Sequence, residues 1–175
     1  MKILAILGST RKQSTNQAIL DWLKSDNAHR FEFIHAMDIS AMPHFNPDVE
    51  QQQLPTAVEV FRQSIATADA VVICTPEYIF GLPGSLKNAL EWTVGSTVFE
   101  QKPTALITAS ALGEHAHASL QLILKTMSAN FTTETQLLIS GVRAKFDEQG
   151  ELRDAAMQGQ LRLLSNNLAD LVQKR

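Results

Sequence analysis

The densest chemistry in the chain lies in Gly8-Ser9-Thr10-Arg11-Lys12-Gln13-Ser14-Thr15-Asn16, between an apolar run and the start of a helix-period pattern. A phosphate monoester needs several directional donors and a compensating positive charge. Backbone N–H groups at a helix start supply donors and a favourable dipole. Ser9, Ser14 and Asn16 add side-chain donors, and Arg11 adds a charged planar fork. Gly8 is expected to let the backbone turn tightly where the strand ends. The loop lacks the Gly-Lys-Ser/Thr ending of a nucleoside triphosphate loop and the three-glycine dinucleotide fingerprint. No Cys precedes Arg11, which excludes a phosphatase working through a thiolate at this position. The plain alternative is that Ser14 or Thr15 only caps a helix and Arg11 is a solvated charge.

A second loop reads Thr75-Pro76-Glu77-Tyr78-Ile79-Phe80-Gly81-Leu82-Pro83-Gly84 and runs into Ser85-Leu86-Lys87-Asn88-Ala89-Leu90-Glu91-Trp92. Two prolines stiffen it, two glycines let backbone approach a ring, and Tyr78, Ile79 and Phe80 supply apolar surface. A flat, partly apolar seat with reachable backbone groups is what an isoalloxazine ring requires. Glu77 is expected to act through its backbone. Lys87 is read as a structural ion pair or helix-dipole contact. Trp92 stands either near a bound ring or a subunit contact, or as a partly buried helix residue.

Strands and helices alternate around these loops. Ile3 to Leu7 is continuously apolar, as a strand covered on both faces must be. A helix begins at Thr15 or Asn16 and carries Ile19, Leu20, Trp22 and Leu23. Phe31 to His35 reads as a second strand. Asp38 to Gln53, with Pro43 and Pro47, reads as too broken for regular structure. A helix from Pro55 through Ala66 turns Val58, Phe61 and Ile65 inward. Then come a strand at Ala70 to Cys74, a helix from about Gly84 to Val94, and a strand at Pro103 to Thr108. A helix near His115 to Ala129 turns Leu120, Ile123, Leu124 and Met127 inward, and Thr135 to Ile139 is the fifth strand. The last helix runs from about Leu152 to Val172 on Leu161, Leu164, Leu168 and Leu171. Five strands separated by five helices imply a parallel sheet covered on both faces. With no repeat or linker, residues 1–175 read as one α/β domain. Ligands of such sheets sit beyond the carboxyl ends of the strands where strand order reverses, so the loops after the first, third and fourth strands are the ones to inspect.

Thr75 to Trp92 is similar to the second signature of the NADPH-dependent FMN reductase family, flavodoxin-like proteins that include azo-, quinone- and chromate-reducing flavoproteins. Gly8 to Asn16 resembles that family's phosphate loop, and Met42-Pro43-His44-Phe45-Asn46-Pro47-Asp48 resembles its loop after the second strand. The resemblance implies a flavodoxin-like three-layer fold of strand order 2-1-3-4-5 with bound flavin mononucleotide (FMN). It further implies NAD(P)H as co-substrate, a small-molecule acceptor (flavin, quinone, azo compound or metal oxyanion), and a homodimer or homotetramer. By the same resemblance Ser9, Arg11, Ser14 and Asn16 match phosphate contacts. Pro76, Glu77, Tyr78 and Gly81 match ring contacts, with Ile79 in the same loop and Ser110 in the third loop. The chemistry then resides on FMN, with no catalytic side chain. Two departures stand out. Ile79 replaces the family's usual Asn, which either weakens a polar contact or opens a more apolar substrate face. The third loop, from Ser110 to His117, lacks the glycine pair and following arginine.

Bulk properties narrow the classes further. The chain has 175 residues, 45% hydrophobic and 19% charged, with a net charge of −3 and no Lys/Arg run. That balance offers nothing to a nucleic acid backbone or an anionic membrane surface. The leading apolar run is too short to span a bilayer and no cleavage-type segment follows, so the protein is expected to be cytoplasmic. Cys74, the only cysteine, permits no internal disulfide and reads as core packing. His115 and His117 are two apart with no Asp, Glu or Cys to complete a metal set. A flavodoxin-type electron carrier is the main alternative, although such carriers are usually more acidic and lack this loop arginine. A non-enzymatic flavin-binding sensor is the third reading.

Overall fold

Five apolar runs pair into one parallel sheet because each is followed by an amphipathic helix that must cross over before the next run can join. The structure, a computed structural model, describes residues 1–11 and 13–174. Its strands are β1 (Lys2–Leu7), β2 (Glu32–His35), β3 (Ala70–Thr75), β4 (Thr104–Ala109) and β5 (Gln136–Ile139), in the order β2-β1-β3-β4-β5. This is the flavodoxin-like order expected from the sequence, and strand order reverses between β1 and β3.

Side-chain alternation along the strands divides the core in two. Ile3, Ala5, Val72 and Cys74 pack under α1 (Thr15–Asp26) and the last helix, whereas Leu4, Ile6, Val71 and Ile73 face the helices of the other side. The central strands β3 and β4 are buried at every position, which is why they read as unbroken apolar runs. Among the described residues no helix is long and apolar enough to cross a membrane.

The stretch from Asp38 to Gln53, expected to lack regular structure, contains a 3-10 turn (Ile39–Ala41) and a helix, α2 (Pro47–Gln52). Pro47, read there as a breaker, occupies the first helical turn, where its missing N–H costs nothing. The Asn46 side chain caps that turn by accepting from the Asp48 N–H at 2.9 Å. Glu50 of α2 pairs with Arg62 of α3 (Thr56–Thr67), and the Arg62 Nε donates to the Trp92 carbonyl at 2.7 Å. A polar segment is thus held by partners distant in sequence.

The remaining helices are α4 (Gly84–Glu91), α5 (Glu114–Thr126) and α6 (Ala155–Gln173), each shorter than its periodicity suggested. For α6 the reason is local. Phe146 and Leu152 form an isolated bridge around a turn with Gly150 at φ 79°, and Asp154 then caps the helix by accepting from the Met157 N–H. Leu161, Leu164 and Leu168 are buried as expected, while Leu171 is only half-buried. Trp92 is fully buried, so it meets neither a ring nor a subunit. Its Nε1 donates to the Pro43 carbonyl at 2.8 Å, and Phe45 packs edge-on at 5.1 Å. Asn88 completes the clasp: its amide donates to Pro43 O at 2.9 Å and accepts from Phe45 N–H at 2.7 Å. The residues after the second strand and those of the second signature therefore form one unit.

Candidate functional site

Four strand tips build one cavity of about 640 Å³ at the carboxyl edge of the sheet. The first tip turns at Gly8, whose N–H donates to the Cys74 carbonyl at 2.8 Å. Gly8 does not have the positive φ expected of a tight turn. It is required because a Cβ there would lie 2.3 Å from Thr75 Oγ1 and 2.9 Å from Leu86 Cδ2. Among the described residues of this loop the left-handed one is Gln13, at φ 55°.

Ser9 and Ser14 are buried, 5% and 7% exposed, yet both line the cavity. Ser14 is the N-cap of α1, its Oγ accepting from the Gln17 N–H at 3.1 Å, which leaves its hydroxyl hydrogen to donate outward. Among the described residues nothing accepts from the N–H groups of Thr15 and Asn16. The Arg11 guanidinium also has no partner among them, and it lies on the cavity wall. Asn16, on the cavity wall as expected, also has a structural part. Its amide donates to Ala109 O at 3.0 Å and accepts from the Cys74 thiol at 3.3 Å. Asn16 thus braces α1 against the tips of β3 and β4, and keeps its backbone N–H and its second amide hydrogen for a ligand. Burial pushes the Cys74 thiol well up, so it stays protonated and performs no thiolate chemistry.

The second tip places Pro76, Glu77 and Tyr78 on the wall. Glu77, expected to meet a ligand through its backbone, gives its carboxylate to the fold. It accepts from the Ala116 N–H at 2.9 Å and the Gly113 N–H at 3.2 Å, capping α5 because Gly113, at φ 104°, has no side chain to do so. These bonds, Ala116's first, hold its pKa below the usual glutamate value. Glu77 therefore stays ionised at pH 7, with its carboxylate oxygens directed at the start of α5.

Tyr78 and Gly81 exchange both backbone hydrogen bonds, at 3.0 and 3.1 Å, around Ile79 (φ 49°) and Phe80 (φ 53°). This is a two-residue hairpin with both central residues left-handed, a geometry that favours Asn and Gly over bulky residues. Ile79 is 97% exposed and Phe80 67% exposed, with the Phe80 ring edge-on to His115 at 5.3 Å. Neither Ile79 nor Gly81 lies on the cavity wall, although both were expected at the ring. The other expected residues, Ser9, Arg11, Ser14, Asn16, Pro76, Glu77, Tyr78 and Ser110, are brought together there.

Ser110, at the third tip, sends its hydroxyl toward the Glu77 carbonyl at 3.4 Å, while its N–H donates to Ile139 O. Below it, half-buried His117 shares a hydrogen bond of 3.0 Å with Thr108 Oγ1, and burial lowers its pKa, leaving it neutral at pH 7. Among the described residues no group of three or more His, Cys, Asp or Glu side chains could hold a metal ion.

The fourth tip was missed from sequence. Gly141 to Ala144, following β5, close the cavity, with Arg143 on its wall. Gly141 adopts φ 63°, its N–H donating to Ala111 O at 3.0 Å, and the Val142 N–H donates to Ser110 O at 3.1 Å. The signal available was Ser-Gly-Val-Arg directly after an apolar run, at the same sheet edge as the loops inspected.

The NADPH-dependent FMN reductase family model matches residues 1–143. An NAD(P)H-dependent FMN reductase of Pseudomonas aeruginosa is 36% identical over 160 residues, covering 88% of this chain and 85% of that protein. A quinone reductase of Pseudomonas putida is 32% identical over 160 residues, covering 87% of this chain and 84% of that protein. A solved flavoenzyme, an NAD(P)H:(acceptor) oxidoreductase from Paracoccus denitrificans, superposes with a TM-score of 0.79 at 25% identity, over 99% of this chain and 97% of its own. With the donor-rich loop, the strand order and the cavity joining them, the chain belongs to the NADPH-dependent FMN reductase family.

Proposed function

We propose that this protein holds FMN in the cavity at the carboxyl edge of the sheet and catalyses NAD(P)H-dependent reduction of a small-molecule acceptor. The observation that carries this reading is the set of free donors at one end of the cavity. The Ser9 and Ser14 hydroxyls, two N–H groups at the start of α1 and the Arg11 guanidinium converge where a phosphate monoester would bind. Their number and charge suit a dianion, and α1 adds the positive end of its dipole. Pro76, the Glu77 backbone, Tyr78 and Ser110 suit a ring lying along the β3 and β4 tips. FMN, when bound, supplies the chemistry of taking hydride from NAD(P)H and passing electrons to an acceptor, so no protein acid or base is needed. The chain's part is to grip the phosphate, orient the ring and leave one ring face reachable.

The relatives' names point to flavins and quinones as acceptors, and the exposed apolar pair Ile79–Phe80 suits a flat apolar acceptor more than a charged one. We place the protein in the cytoplasm, as one domain over residues 1–175, and self-associated as a homodimer or homotetramer. A shallow apolar groove between α4 and α5, about 250 Å³, supports self-association: Leu90, Ile123 and Met127 line it, with exposed Val94 and Leu122 at its rim.

Titrating the purified protein with FMN while following flavin fluorescence, then measuring NADPH and NADH oxidation with a quinone, tests the reading. Saturable quenching and turnover are expected. Binding without turnover would leave an electron carrier or sensor, and no binding would end the proposal. Arg11→Ala should weaken FMN binding by about 1.5–3 kcal/mol, the range for a hydrogen bond to a charged group.

A further inference from the structure

We infer that Arg143 is a second cation of the phosphate cradle, closing on the flavin's phosphate from the side opposite Arg11. The inference rests on the FMN reading above and deepens it.

Charge matching motivates it. A phosphate monoester carries about −1.5 to −2 at pH 7, while the loop after β1 offers one guanidinium among the described residues. Arg143 lies on the wall of the same cavity, and among the described residues no hydrogen bond or ion pair engages its guanidinium. Its neighbours differ. Lys145 is paired with Asp154 at 2.7 Å, and Arg153 with Asp147 at 2.6 Å and Glu151 at 2.5 Å. Asp147, Glu151 and Asp154 are thus engaged by other cations, and among the described residues no carboxylate of this segment pairs with Arg143.

Two hydrogen bonds fix Arg143 relative to the cradle. The Asn16 amide, one residue into α1 from Thr15, donates to Ala109 O at 3.0 Å. The next carbonyl, of Ser110, accepts from the Val142 N–H at 3.1 Å. The start of α1 and Arg143 therefore hang on adjacent residues of one strand tip. They also share a face of the sheet, since Val142 is 4% exposed within the core that α1 and α6 cover. Asn16 reaches the tip of β4, whose neighbour at about 4.8 Å is β5, the strand that leads to Arg143. Gly141 permits the left-handed turn that presents it.

The test compares FMN with riboflavin, which shares the ring but lacks the phosphate, by fluorescence titration of the wild type, Arg143→Gln and Arg143→Lys. Arg143→Gln should weaken FMN by one to two orders of magnitude and change riboflavin less than twofold. Arg143→Lys should restore part of the loss, and the salt dependence of FMN binding should flatten in the Gln variant. Equal weakening of both flavins would mark a structural effect and overturn the assignment. Unchanged FMN affinity would also overturn it, and a raised KM for NAD(P)H with unchanged flavin binding would move the residue to the dinucleotide. A wild type that binds no FMN would defeat the cofactor reading, a result distinct from all of these. Should Arg143→Gln fail to fold, the Arg143→Lys titration alone decides: a several-fold loss for FMN with riboflavin unchanged supports the assignment, and unchanged FMN affinity or equal losses for both flavins reject it.

Discussion

Single side chains at this site divide between gripping a ligand and holding the grip in place, and their types do not separate the two. Gly8 belongs to the second group. A Cβ there would meet Thr75 and Leu86, both in the packed sheet edge, so Gly8→Ala should cost about 1–3 kcal/mol of stability, as overpacking does. Chemical denaturation checks this, and a variant as stable as the wild type would show that the loop relaxes freely. Glu77 also holds, with a pH signature. Its folded pKa lies below its ordinary value of 4.5 because helix N–H groups stabilise the ionised form. Its contribution is therefore complete above about pH 4.5 and is lost as pH falls through the depressed folded value. Glu77→Gln should be destabilised at pH 7, and the gap to wild type should narrow as pH falls below about 4.5. A gap that is constant with pH would mean that the charge plays no part.

The hairpin from Tyr78 to Gly81 stores strain at the mouth of the site. A β-branched residue at φ 49° followed by Phe at φ 53° is costly, of the order of 1–3 kcal/mol each. Such strain persists where the surroundings impose it, here through the paired Tyr78 and Gly81 backbones. Ile79→Gly should raise stability by about 1 kcal/mol, because relief of strain exceeds glycine's entropic cost. The same change should raise KM for apolar quinones if the exposed isoleucine is part of the acceptor's seat. Thermal melting and steady-state kinetics read the two effects separately. The α2 segment makes a complementary point: six residues with no buried position form a helix because Asn46 caps it and Arg62 anchors Glu50.

At the scale of the whole molecule, α4 and α5 leave an apolar face open. Val94 and Leu122 are each 67% exposed beside a groove lined by Leu90 and Met127. Leu122→Glu should shift sedimentation toward the monomer without lowering FMN affinity by more than a few-fold, since the residue lies outside the flavin cavity. An unchanged sedimentation coefficient would reject this face as a contact between copies of the chain.

Periodicity alone was enough to locate the five strands, five of the helices and the order in which they alternate, because buried parallel strands and amphipathic helices write their environments into local apolar spacing. Residue types alone were enough to single out the loop from Ser9 to Asn16 and most of the second signature, because phosphate and ring binding need particular donors close together. Folding decided the rest, through contacts between residues far apart in the chain. Asn16 was also engaged as a brace by Ala109 and Cys74, and Glu77 was drawn onto α5 by a glycine that cannot cap. Trp92 was buried under Pro43, and Arg143 was carried to the cavity by hydrogen bonds between two strand tips. None of these pairings has a local spacing to betray it, since each depends on which strands became neighbours and which groups were left without partners once they had.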